Sequence, residues 1–207
     1  MPATNGDFSQ RRVGLLALQG DYEAHARALA DLGVSPRYVT HPEQLREIDS
    51  LIVPGGESTT MVKLIQAYAF EPALRQFYRS GRPIFGTCAG LILLSSDVSG
   101  SPHQLHLDAI DLSVARNAYG RQLESFETAL QVPKLGQEPL PAVFIRAPRV
   151  ARVGPAVDVL ARFRHDCVLA RQGCILVASF HPELTSDRRV HRLFLEMGSR
   201  GPARGAA

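Results

Sequence analysis

The chain has 207 residues, 45% of them hydrophobic and 21% charged, the balance of an ordinary globular protein. A formal net charge of +3 with no lysine or arginine block argues against nucleic acid as a partner. No apolar run approaches the roughly 20 residues of a membrane span, the start "MPATNGDFSQRR" lacks the apolar centre of a secretory signal, and three cysteines make no disulfide framework, so a cytoplasmic chain without a membrane partner is expected.

In chain order, "VGLLAL" (13–18) is an apolar run that predicts a strand buried on both faces. "DYEAHARALADLG" (21–33) has helical spacing and is stopped by Gly33. "PRYVT" (36–40) predicts a second strand, and "HPEQLREID" (41–49) a short helix with proline near its start. "SLIVPGG" (50–56) is a third apolar run ending in a turn. Helices follow over 57–68 and 71–81, then a strand at "PIFG" (83–86) and a helix over 89–96. Strands alternating with helices imply right-handed βαβ units and a mostly parallel sheet covered on both sides. The second half offers strand-like runs within 109–116, 124–132, 142–147, 158–163, 167–172 and 174–180, which predict an antiparallel or mixed extension of that sheet. "SDRRVHRLFLEM" (186–197) closes the chain as an amphipathic helix. The expected architecture is a single-domain α/β fold with an open mixed sheet flanked by helices.

Gly86-Thr87-Cys88-Ala89-Gly90 reads G-x-C-x-G at a strand-to-helix junction. A nucleophile on so sharp a turn strains its backbone, and small neighbours two residues away make room for it. The turn lifts the sulfur to the carboxyl end of the sheet, where open α/β folds bind ligands. The following helix N-terminus favours thiolate and can hold an oxyanion. Cys167 and Cys174 lie in apolar runs and read as core residues.

A thiolate nucleophile needs a base. "VASFHPEL" (177–184) ends an apolar strand in His-Pro-Glu. Pro182 keeps His181 extended, and residues two apart then point to one side. Glu183 can thus orient the His181 ring, as a carboxylate does in a nucleophile–base–orienter triad. His25 reads as a partly buried structural residue. His41, His103, His106, His165 and His191 read as solvated. "VPGGEST" (53–59) is another turn at a strand end, fit for an oxyanion or substrate, though it lacks the spacing of a phosphate loop. Arg116, within "ARNAYGRQLESFE", and Arg146, within "FIRAP", are candidates to clamp a carboxylate, with the plain surface role still open. No ligand cluster has zinc spacing, so no metal or cofactor is expected.

Taken together, "LLALQGDYEAH", "LIVPGGESTTM", "PIFGTCAGLILL", "RNAYGRQLESFE", "FIRAP" and "SFHPELTSDRRVHRLF" resemble the glutaminase subunits of pyridoxal 5′-phosphate synthase, which are class I (triad) glutamine amidotransferases with a flavodoxin-like sheet. The likeness runs from about Val13 to Met197. It implies a glutaminase domain over 13–197, with an extension at 1–12 and a tail at 198–207. By this resemblance Cys88, His181 and Glu183 form the catalytic triad. Gly56, Glu57, Ser58, Arg116, Ile145 and Arg146 bind L-glutamine. Backbone at Gly55, Gly56 and Ala89 forms the oxyanion hole, and Gln19 serves activation or the partner interface. The implied partner is a (β/α)₈-barrel synthase subunit in an assembly of twelve copies of each. A triad amidotransferase subunit of histidine or nucleotide synthesis is the alternative.

Overall fold

The computed structural model describes residues 7–100, 104–116 and 125–197. The first half runs β1 (Val13–Leu16), α1 (Tyr22–Ala30), β2 (Arg37–Val39), β3 (Ser50–Val53), α2 (Ser58–Ala67), α3 (Phe70–Arg79), β4 (Ile84–Thr87) and α4 (Ala89–Leu94). The second half runs β5 (Ser95–Ser99), β6 (Ile110–Ala115), β7 (Ser125–Leu130), β8 (Leu140–Ile145), β9 (Arg149–Val153), β10 (Asp158–Phe163), β11 (Asp166–Gln172), β12 (Ile175–Ala178) and α5 (Arg189–Met197). Among the described residues no helix is long and apolar enough to cross a membrane.

The main sheet has seven strands in the order β10-β11-β12-β4-β3-β1-β2. From β12 to β2 every pairing is parallel, while β11 and β10 join antiparallel at one end. This is the mixed, mostly parallel sheet that the alternating runs predict. The apolar runs are continuous because both faces are covered. Side-chain alternation divides each strand between two cores. Leu51, Val53 and Ile84 point to the face covered by α2, α3 and α4, where Met61, Phe70 and Leu91 pack. Ile52 and Phe85 point to the opposite face, against Leu29 of α1 and Phe194 of α5.

Not every second-half strand extends this sheet. β10, β11 and β12 do, but β5, β6 and β9 form a three-stranded sheet, and β7 pairs with β8 alone. β5 falls where a helix end and loop are expected: α4 stops at Leu94, and the polar segment "SSDVS" becomes a strand by pairing with β6. Pairing context overrides weak strand propensity there. β9 likewise forms where the sequence predicts no strand. Residues 42–47 form a 3₁₀ helix rather than an α-helix.

The topology positions the site. β12, β4, β3 and β1 are neighbours and parallel, so their carboxyl ends line one edge of the sheet. That edge receives His181, Cys88, the Gly55-Gly56 turn and Gln19, in that spatial order.

Candidate active site

Cys88 sits between β4 and α4 with φ 47° and ψ −100°, a left-handed conformation unusual for a residue with a side chain. Its N–H donates to the Ala178 carbonyl of β12 at 2.9 Å, which anchors the turn to the next strand. The flanking glycines are required by close approach. A methyl at Gly90 would stand 2.2 Å from the Val53 carbonyl oxygen, and one at Gly86 would stand 2.7 Å from the Gly90 carbonyl carbon. The G-x-C-x-G spacing thus has the steric cause read from the sequence.

His181 follows β12 after Ser179 and Phe180. Its N–H donates to the Val143 carbonyl of β8 at 2.8 Å. Its Nδ1 lies 2.7 Å from Glu183 Oε1. The two side chains meet across a single 3₁₀ turn, Pro182–Leu184, rather than along an extended strand. The ring lies against the other turn as well, since a methyl at Gly55 would be 2.5 Å from His181 Cε1 and 3.2 Å from Cys88 Cβ. Burial would lower the His181 pKa. The neighbouring Cys88 sulfur, and the bond and charge of Glu183, outweigh burial and push it up to about 10. Burial would raise Glu183. The nearby His25 ring and the bond from His181 prevail, and it is held at about 2. Both shifts favour the ionised forms, carboxylate and imidazolium.

A cleft of about 220 Å³ opens in front of these groups. That lies below the roughly 300–1,000 Å³ of pockets for drug-sized ligands and suits a small polar molecule. Cys88, His181, Gly56, Glu57, Ser58, Arg116, Ile145 and Arg146 line it. Ile92 and Pro148 also line it and were not singled out by sequence. Arg146, just after β8, is a second non-glycine cleft residue with positive φ, 43°. Such strain concentrates at functional sites.

The Glu57 carboxylate is occupied locally. It caps α2, accepting from Thr59 N–H at 3.0 Å and from the Thr60 N–H and hydroxyl at 2.6 and 2.7 Å. The Thr60 hydroxyl, followed by the Thr59 N–H, draws its pKa down to about 2. Arg116 donates to Gln104 Oε1 at 2.6 Å and to Thr59 Oγ1 at 3.1 Å, and stands 3.8 Å from Glu57 Oε1. The other polar candidates of that stretch, within 117–124, lie outside the described residues. Gln19 Oε1 accepts from Glu57 N–H at 3.2 Å. The Gly55 carbonyl accepts from Asp21 N–H at 3.4 Å, so the planar trans peptide sends the Gly56 N–H away from Asp21. Ala89, the first residue of α4, is buried beside the cysteine.

His25 and His191 depart from expectation. Both are fully buried, and His191, read as solvated, lies on the apolar face of α5 with Val190, Phe194 and Leu195. Its helical spacing to Phe194 and Leu195 is the signal that could have revealed this. Cys167 is buried and Cys174 half-buried, both away from the cleft residues. Among the described residues no cluster of His, Cys, Asp and Glu could hold a metal ion.

In architecture, this sheet with its cysteine elbow groups with the class I glutamine amidotransferases: a solved structure of a glutamine amidotransferase superposes with a TM-score of 0.86 at 49% identity, covering 91% of this chain and 99% of that one. The chain belongs to the SNO glutamine amidotransferase family, which matches residues 15–200. Two relatives described as pyridoxal 5′-phosphate synthase subunit PdxT are close along nearly their whole length. That of Carboxydothermus hydrogenoformans is 48% identical over 190 residues, 92% of this chain and 99% of the relative. That of Pelotomaculum thermopropionicum is 53% identical over 186 residues, 89% and 94% respectively.

Proposed function

We propose that this chain is the glutaminase subunit of a pyridoxal 5′-phosphate synthase, hydrolysing L-glutamine to L-glutamate and ammonia with Cys88, His181 and Glu183 as its catalytic triad. The observation that carries the chemistry is one cleft faced by a strained cysteine and by a histidine bonded to a buried glutamate at 2.7 Å. The pathway is supported by relatives at 48% and 53% identity.

Cys88 thiolate attacks the side-chain amide carbon of glutamine. The carbonyl electrons move to oxygen, and backbone N–H groups of Ala89 and the Gly55-Gly56 turn hold that oxyanion. One such donor is typically worth about 10²–10³ in rate. The His181 imidazolium gives its proton to the amide nitrogen, the C–N bond breaks, and ammonia leaves a glutamyl thioester. Water then attacks as His181 takes its proton, the C–S bond breaks, and glutamate departs. Gly56, Glu57 and Ser58 contact the substrate from the α2 side, and Ile145, Arg146 and Arg116 from the other. An arginine is suited to the α-carboxylate.

Ammonia released into water is protonated and lost, so delivery to a docked consumer is favoured. The consumer proposed is a (β/α)₈-barrel synthase subunit in a twelve-plus-twelve assembly, with Gln19 near the interface. Residues 13–197 are taken as the glutaminase domain, flanked by 1–12 and 198–207. The deciding experiment measures glutamate release from glutamine, with and without the synthase subunit, for the wild type and Cys88→Ala. Release that requires Cys88 and rises with the synthase supports this function. Release untouched by Cys88→Ala removes it.

A further inference from the structure

Behind the triad lies a buried chain of polar side chains that the mechanism above does not use. Glu183 has two carboxylate oxygens. Oε1 is bonded to His181, whereas Oε2 is buried without a hydrogen-bond partner. His25 Nε2 faces Oε2 at 3.5 Å, with both side chains wholly buried. The same Nε2 lies 3.2 Å from Thr87 Oγ1, on the residue before the nucleophile. His25 Nδ1 lies 3.0 Å from His191 Nε2, and His191 Nδ1 has no partner.

The tautomers follow from these partners. An ionised carboxylate only accepts, so the His25 nitrogen facing it must carry hydrogen. Burial, opposed by the Glu183 charge, keeps His25 below its ordinary pKa and hence neutral. Its Nδ1 is then an acceptor and must receive the N–H of His191 Nε2. That leaves His191 Nδ1 bare, in agreement with its lack of a partner and with a pKa that burial pushes down to about 3. One direction of donation therefore runs from α5 through α1 toward the triad: His191 to His25, and His25 to Thr87, with Glu183 Oε2 facing the same N–H at 3.5 Å.

Resting on the triad reading above, we propose that His25 is a positioning residue for glutamine hydrolysis: its Nε2–H, shared between Thr87 Oγ1 and Glu183 Oε2, holds the carboxylate that orients His181, and His191 fixes the tautomer that makes this possible. A separation of 3.5 Å is long for a hydrogen bond, and active-site bonds of this kind commonly shorten in the substrate complex. The need for a partner is physical, since a buried carboxylate oxygen without one carries a desolvation cost. The groups facing His25 are Glu183 and His181 from the turn after β12, His191 from α5, Thr87 from β4, and Asp21 just before its own helix.

The test uses the full chain with its synthase subunit. His25→Leu keeps bulk and removes the donor. His25→Gln keeps an N–H near the Nε2 position, and His25→Asn places its amide near Nδ1 instead. The expected result for His25→Leu is a fall in kcat of roughly 10- to 100-fold, the range seen at metal sites when the outer partner of an active-site ligand is removed. KM for glutamine should stay within about twofold, because His25 does not line the cleft. His25→Gln should recover most of the rate and exceed His25→Asn by about tenfold. The rate of Cys88 alkylation by iodoacetamide, followed at that peptide by mass spectrometry, should show its acid limb moved to higher pH in His25→Leu and returned in His25→Gln. If His25→Leu does not fold, the Gln-against-Asn comparison decides. Equal rates for Gln and Asn, or an unchanged kcat in His25→Leu, overturn the proposal. A Cys88→Ala control that still releases glutamate in this assay removes the triad reading itself, which separates the two failures.

Discussion

The Gly90 Cα rests so close to β3 that a methyl group there would lie 2.2 Å from the carbonyl oxygen of Val53. This contact clamps α4 onto the end of β3. It thereby sets the Cys88 turn beside the Gly55-Gly56 turn, which leaves that same strand. The obstacle is backbone in a central strand, which cannot swing aside as a side-chain tip can. Gly90→Ala is expected to cost about 3 kcal/mol or to abolish soluble folding, at the upper end for overpacking a close contact. Urea denaturation measures this, and a loss under about 0.5 kcal/mol would contradict the geometry.

Cys88 pays for its position with a φ of 47°. Glycine adopts that region without strain. Cys88→Gly is therefore expected to raise stability by about 1 kcal/mol while reducing partner-stimulated glutamate release by about 10⁴-fold or more, as when a triad nucleophile is removed. A melting curve and a glutamate assay on one preparation test both halves. A less stable, inactive variant would show that the turn is not strained.

Glu183→Gln keeps the shape of the orienting side chain and removes its charge. The imidazolium of His181 then loses the partner 2.7 Å away. The expected fall in kcat is about 10²- to 10⁴-fold, with KM for glutamine much less affected. The His181 pKa, held up partly by this carboxylate, should drop, as histidine ring NMR signals would report. An unaltered titration would disconnect Glu183 from the ring.

The buried histidines give the fold a distinctive acid response. His191 is held down at about 3 and His25 is also lowered, both chiefly by burial. Below their unfolded pKa of about 6.5 the unfolded chain takes up protons that the native chain refuses, so stability falls as the medium is acidified. Glu183, held at about 2, begins to lose its contribution only below the ordinary carboxylate range. His181, raised to about 10, keeps its contribution below about pH 6.5 and loses it as pH rises toward 10. Acidification from about pH 6 to about pH 5 thus isolates the two buried rings, at no more than about 1.4 kcal/mol per ring per pH unit. His191→Gln should make the decline in urea midpoint shallower, and identical slopes would refute this account.

Arg116 is held by Gln104 and Thr59 at the cleft wall. If it clamps the substrate carboxylate, Arg116→Ala should raise KM for glutamine by about tenfold or more with a smaller change in kcat, and lysine should rescue little because its ammonium lacks the planar fork. Full rescue by Arg116→Lys would reduce its role to charge alone.

Much of this protein is legible locally. The apolar runs of β1, β3, β4 and β12 announce strands covered on both faces, because each is short, continuous and bounded by turn signals. Gly86 and Gly90 around Cys88 announce a sharp turn, because only small residues survive backbone approaches of under 3 Å. His181 and Glu183 are near enough in sequence to meet whatever the turn between them. Tertiary structure decided the rest. β5 and β9 are strands because partners far along the chain offer hydrogen bonds that their own composition does not demand. The second-half strands divide among three sheets by packing on two separate cores, which no single segment records. His191 reads as one more polar residue of an amphipathic helix until a ring 166 positions away reaches hydrogen-bond distance. Steric demands and periodicity act within a few residues and leave their mark in the sequence. Burial of a polar group depends on a partner brought by the fold, so helical spacing can hint that His191 is buried but only the folded chain shows what it meets.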